Sequence, residues 1–113
     1  MPDISGDNGA QPGCTHVYEL LEEVRQRPGM WVRRGSVREL ETLLYGYWLA
    51  LGAHDISESF ELHRALGPFG CWLRETRDWP MAEGWAAAIE AHSGDQPPIE
   101  LFFNLLDEYR STR

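Results

Sequence analysis

The sequence predicts an all-α domain, a compact bundle of about five helices around a central helix near the C-terminus. Three observations lead there. Apolar residues recur at spacings of three and four in five separate stretches. Leu (13), Ala (9) and Glu (12) are frequent, against 12 Val, Ile and Thr together, a balance that favours helix over strand. The stretches are separated by Pro and Gly, which punctuate helices.

Residues 1–14 are rich in Gly, Pro and Asp, with Ile4 the only large aliphatic beyond Met1, and read as a disordered tail ahead of a single domain at 15–110. Thr15 is placed to cap a first helix, about Thr15 to Arg27, whose apolar positions are Val17, Leu20, Leu21 and Val24. Pro28 and Gly29 end it. In the connection from Arg27 to Gly35, Met30, Trp31 and Val32 call for a core or an interface, and Arg25, Arg27, Arg33, Arg34 and Arg38 cluster with no acid among them.

Ser36-Val-Arg-Glu39 reads as a reciprocal capping box, opening a helix that carries Val37, Leu40, Leu43, Leu44, Tyr47, Trp48 and Leu51 and closes at Gly52. Gly46 inside it suggests a close helix crossing. From Ala53 to Leu66 the pattern fades, leaving a short helix or an extended segment open. Pro68 starts a helix with Phe69, Trp72 and Leu73 on one face, running to about Arg77. Met81, Trp85, Ala88 and Ile89 mark the next, with Gly84 read as a mid-helix close approach. The central helix covers Ile99 to Tyr109: seven of its eleven residues are apolar and fill an arc of about 200° at about 100° per residue, wide enough for neighbours on two sides. Ser111 to Arg113 should fray.

The length of 113 residues fits one domain able to bury about two-thirds of the surface its unfolded chain exposes. The formal charge is −8 although all ten basic residues are Arg, which argues against general nucleic-acid or anionic-membrane binding and favours solubility or a basic partner. Cys14 and Cys71 form no CxxC motif and read as reduced thiols. No signal peptide and no run near the ~18 apolar residues of a membrane span occurs, so a cytoplasmic monomer is expected.

Chemistry is sparsely marked. His16, His54, His63 and His92 are scattered without metal-ligand spacing, no GxSxG nucleophile motif is present, and adjacent acids such as Glu22-Glu23 and Asp107-Glu108 point about 100° apart on a helix. No cofactor, metal or catalytic residue is expected.

Arg25-Gln-Arg-Pro-Gly-Met-Trp-Val32 resembles the opening of the ATPase domain of type II topoisomerases. The helix that follows contains neither Asn nor Asp, and the DxGxG and glycine-rich lid signatures are missing, so the match is read as convergence on a turn.

A second resemblance spans about Leu20 to Tyr109. The order Arg27-Pro-Gly-Met-Trp31, Ser36 to Leu40, Gly46-Tyr47, a Phe69/Trp72 helix, a Trp85 helix and Leu101-Phe-Phe-Asn-Leu-Leu-Asp-Glu-Tyr109 is similar to small bacterial immunity proteins of the contact-dependent growth inhibition, or polymorphic toxin, type. Arg33-Arg34 departs from the Gly-containing turn expected after the Met-aromatic pair. The resemblance implies a non-catalytic inhibitor that neutralises a cognate toxin by direct binding, the toxin often being a basic nuclease. Charge would speed association and buried aromatics would supply most of the affinity.

Two surfaces are candidates for the partner: the acids Glu100, Asp107 and Glu108 on the polar side of the central helix, and the basic turn around Trp31, Arg33 and Arg34. The alternatives are a cytoplasmic adaptor or regulatory interaction module, and an enzyme whose site assembles from unmarked residues such as Arg33, His54 and Glu41.

Overall fold

Pro98 starts the last helix, α6 (Pro98–Ser111), and its apolar arc turns both ways into the protein: Ile99, Phe102, Phe103, Leu105, Leu106 and Tyr109 are all buried. The computed structural model describes residues 16–64 and 67–112. The tail expected at 1–14 and the Thr15 cap lie outside them. Around α6 stand α1 (Val17–Gln26), a one-turn α2 (Pro28–Trp31), α3 (Val37–Ala53), α4 (Pro68–Arg77) and α5 (Trp85–His92). Among the described residues there is no strand, and no helix is long and apolar enough to cross a membrane.

The core is aromatic at its centre. Phe102 stacks on Trp85 with ring centroids 4.9 Å apart and meets the edge of Phe69 at 5.9 Å. Phe69 in turn packs edge-on against Tyr109 at 5.5 Å, so α4, α5 and α6 share one cluster of rings. The side chains of the core are apolar; the fully buried Trp85 satisfies its indole N–H by donating to the Leu62 carbonyl at 3.2 Å. A buried indole without that acceptor would cost about 1–3 kcal/mol.

That bond also settles the segment left open by the sequence pattern. Residues 56–63 form no regular element and run past the core. Trp85 N donates to Arg64 O (2.9 Å) and Phe69 N to Glu61 O (3.1 Å), fixing the backbone. Two carboxylates fix the side chains. Glu58 accepts from the Tyr47 hydroxyl (2.7 Å) and from the Val17 N–H at the start of α1 (3.0 Å), which has no cap from its own N-cap residue His16. Glu61 accepts from both Tyr18 (3.2 Å) and Tyr109 (2.7 Å).

Three local expectations are corrected, and a fourth, which left core or interface open, is narrowed. The capping box is only half formed: Ser36 Oγ accepts from Glu39 N, but the Glu39 carboxylate takes the Arg33 N–H at 2.8 Å instead of the Ser36 amide, which donates to Arg33 O. Gly46 makes no close crossing, since a Cβ there would meet nothing within 4 Å. Gly84 is the N-cap of α5 at φ +94, not a residue inside a helix, and Met81 lies in the turn before it. Of Met30, Trp31 and Val32, only Val32 reaches the core; Met30 is 71% exposed. None of the residues of the one-turn α2 is buried, so Met30 and Trp31 stay at the surface.

Candidate partner-binding surface

The acidic candidates are divided by the fold. Asp107 is bound by Arg25 of α1 at 2.6 Å and Glu108 by Arg77 of α4 at 2.7 Å, whereas Glu100 makes no ion pair among the described residues. The step of about 100° between adjacent helical residues sends them to different neighbours. Arg25 holds the Asp107 carboxyl below the ordinary carboxylate range, first through their hydrogen bond. The basic turn is the reverse case: Trp31, Arg33 and Arg34 are exposed, and neither guanidinium is ion-paired among the described residues. Arg34 sits at φ 54, ψ 25 and Gly35 at φ 64, so the turn needs left-handed backbone at two successive positions.

The unmarked enzyme set does not assemble. Arg33 precedes α3 and His54 follows it, and 17 residues of helix separate them by about 25 Å. Among the described residues no group of three His, Cys, Asp or Glu could hold a metal ion.

A concavity lies elsewhere, between α3 and residues 56–64. It holds about 590 Å³ and is walled by Tyr45, Trp48, Phe60 and His63, with Leu62 and the pair Glu41 and Arg64 at one end. The rings form one continuous set: His63 meets Trp48 edge-on at 5.1 Å and Phe60 at 4.9 Å, and Tyr45 leans on Trp48 at 5.9 Å. On the other side of Trp48 a second cavity of about 440 Å³ is bounded by Leu49, Leu51, Ile56 and Glu58. Trp48 therefore stands as a ridge between two hollows. Tyr45 is 56% and Trp48 39% exposed, with Leu49 and Ile56 open beside them.

At the charged end, Glu41 links three elements. Its Oε2 accepts from Ala86 N at 3.2 Å, capping α5, whose own N-cap Gly84 has no side chain to do so. Its Oε1 lies 3.5 Å from Arg64 Nε. Burial raises the Glu41 carboxyl above the ordinary range, while the Ala86 N–H and the Arg64 charge oppose the shift. Arg38 at the rim is held by Glu90 at 2.6 Å.

Sequence reasoning placed Trp48 with the core face and assigned no role to Tyr45, Phe60 or His63. A signal was present. On a wheel, the apolar residues of α3 from Leu43 round to Leu49 span about 240°, more than one buried face requires. Arg38, Glu41, Thr42, Tyr45 and Trp48 fall on one flank of that arc.

Comparison of the chain with protein-family models, with curated proteins and with solved structures finds no match.

Proposed function

We propose that this protein is a non-catalytic binding protein, an immunity protein that neutralises a cognate bacterial toxin by direct contact, and that its docking face is the outer flank of α3. The observation that carries the reading is the Trp48 ridge. Tyr45, Trp48, Leu49 and Ile56 expose large apolar surface in one contiguous patch with a hollow on either side. Exposed aromatics beside concavities are the usual anchors of protein interfaces, and contiguous apolar surface of this kind marks an interaction site. The −8 charge favours a basic partner and fast association with it.

The test is co-purification with the product of the adjacent gene, and co-expression of the two in a bacterial host. A tight complex that abolishes the neighbour's toxicity supports the reading. A complex with a non-toxic partner assigns the protein to the adaptor class instead. Trp48→Ala should remove binding while Trp31→Ala spares it; the opposite result moves the interface to the turn of Trp31, Arg33 and Arg34.

A further inference from the structure

The 590 Å³ groove has a chemistry more specific than an apolar patch. Four rings line it, and three of them, Tyr45, Trp48 and Phe60, have negative faces. The guanidiniums at its edge are already engaged: Arg38 Nε with Glu90 at 2.6 Å, Arg64 Nε with Glu41 at 3.5 Å and Arg64 Nη2 with the Glu83 carbonyl at 3.1 Å. Glu90, Glu41 and Glu83 all act on Arg38 at this rim, three carboxylates beside two arginines.

One of those internal pairs is weak. Arg64 and Glu41 are 3.5 Å apart, against 2.6 to 2.7 Å for the other three ion pairs among the described residues, and the Arg64 side chain is the most exposed of any in these pairs. Arg64 is held loosely beside a carboxylate whose second oxygen is fixed by Ala86.

We propose that the groove receives an arginine or lysine side chain of the protein partner, its cation lying along the Tyr45, Trp48 and Phe60 rings and taking the place of Arg64 beside Glu41. This rests on the protein-binding reading above. The groove supplies both attractions a cation uses, a ring surface and a partly desolvated carboxylate. A volume of about 590 Å³ is ample for one long side chain. An anionic occupant is disfavoured, because drawing Arg64 from Glu41 or Arg38 from Glu90 would leave it facing the carboxylate so released.

The experiment titrates the whole protein with the capped tripeptide Gly-Arg-Gly, following the Trp48 indole and the His63 and Tyr45 ring signals by nuclear magnetic resonance. Controls are the same peptide with neutral citrulline and capped Gly-Glu-Gly. Saturable shifts centred on Trp48 are expected, with citrulline at least about fivefold weaker. Glu41→Gln, which keeps an acceptor for Ala86 N, should weaken binding by about fivefold or more. Arg64→Met, which keeps the stem over Gly84, should tighten it by removing the internal competitor.

Equal affinity for arginine and citrulline, a preference for Gly-Glu-Gly lost in Arg64→Met, or no saturable shift at Trp48 would each overturn the assignment. A protein partner whose affinity is lowered by Trp48→Ala but unchanged by Glu41→Gln and Arg64→Met would overturn it while leaving the protein-binding reading intact. Arginine-peptide binding with no protein partner captured would do the reverse.

Discussion

Arg25 and Asp107 meet through two parallel hydrogen bonds, Nη1 to Oδ1 at 2.9 Å and Nη2 to Oδ2 at 2.6 Å, with the guanidinium 5.3 Å from the centre of the Phe103 ring. The next acid, Glu108, binds Arg77, which lies 5.5 Å from the centre of the Trp72 ring. Consecutive residues of α6 thus clip α1 on one side and α4 on the other. An acidic face on the sequence becomes two lateral fastenings in the fold.

Asp107→Asn tests the first fastening. The folded carboxyl titrates below its ordinary value of about 3.9. The stability this contributes is therefore present above that value and is lost as pH falls through the lower folded one. Asp107 is 54% exposed in its side chain, so the loss at neutral pH should stay below about 1 kcal/mol. Urea unfolding of both proteins from neutral to strongly acidic pH should show the two stabilities converging at the acid end.

Phe102→Ala should cost about 3–5 kcal/mol. The ring is fully buried and touches Trp85, Phe69 and Phe103, so truncation opens a hole at the junction of α4, α5 and α6. Chemical denaturation is the measurement; a loss under about 1 kcal/mol would be that of a surface side chain and would contradict the packing.

How far the sequence could be read follows from where each signal is stored. The buried faces of α1 and α6 were legible because Val17, Leu20, Leu21 and Val24, and Ile99 through Tyr109, carry their own periodicity. Residues 56–64 carry none, since their position depends on Trp85, Phe69, Tyr47 and Tyr18, all distant in the chain. Gly84 was misplaced for a similar reason: its need for positive φ arises from the Met81 turn, and its cap comes from Glu41, 43 residues earlier in the numbering. The groove was illegible as a unit because half of it belongs to that aperiodic segment. Its α3 half was visible only as an apolar arc too wide for one face.

Tyr18 should titrate at about 12, against 10.0 for a free tyrosine, because burial and then the Glu61 charge oppose the phenolate. A raised folded pKa means that its contribution to stability is intact below about 10 and is lost as pH rises toward 12. Glu61→Gln keeps an acceptor but removes the charge, so the Tyr18 value should fall while staying above normal through burial. Ultraviolet absorbance of tyrosinate, followed for both proteins, checks the order.

Gly84→Ala joins the fold to the proposed groove. Gly84 lies at φ +94, where an L side chain is strained, and an added Cβ would come within 2.7 Å of both Arg64 Cγ and Glu41 Oε2. Gly84 combines φ +94 with ψ 165, a region almost confined to glycine, so the backbone strain alone costs about 1–3 kcal/mol, and the clash must be relieved by moving the two residues that close the groove's charged end. The Arg64 contact is at Cγ, near the root of the side chain, so relief there needs a change of its χ1 rotamer and not a swing of its tip. Glu41 moves less readily, because displacing it leaves the Ala86 N–H at the start of α5 without its acceptor. The expected result is a loss of about 2 kcal/mol or more in denaturant unfolding, with amide exchange accelerated at Ala86 and the first turn of α5. Exchange that quickens only in residues 56–64 would instead place the strain in the segment carrying Arg64, with Glu41 still capping the helix.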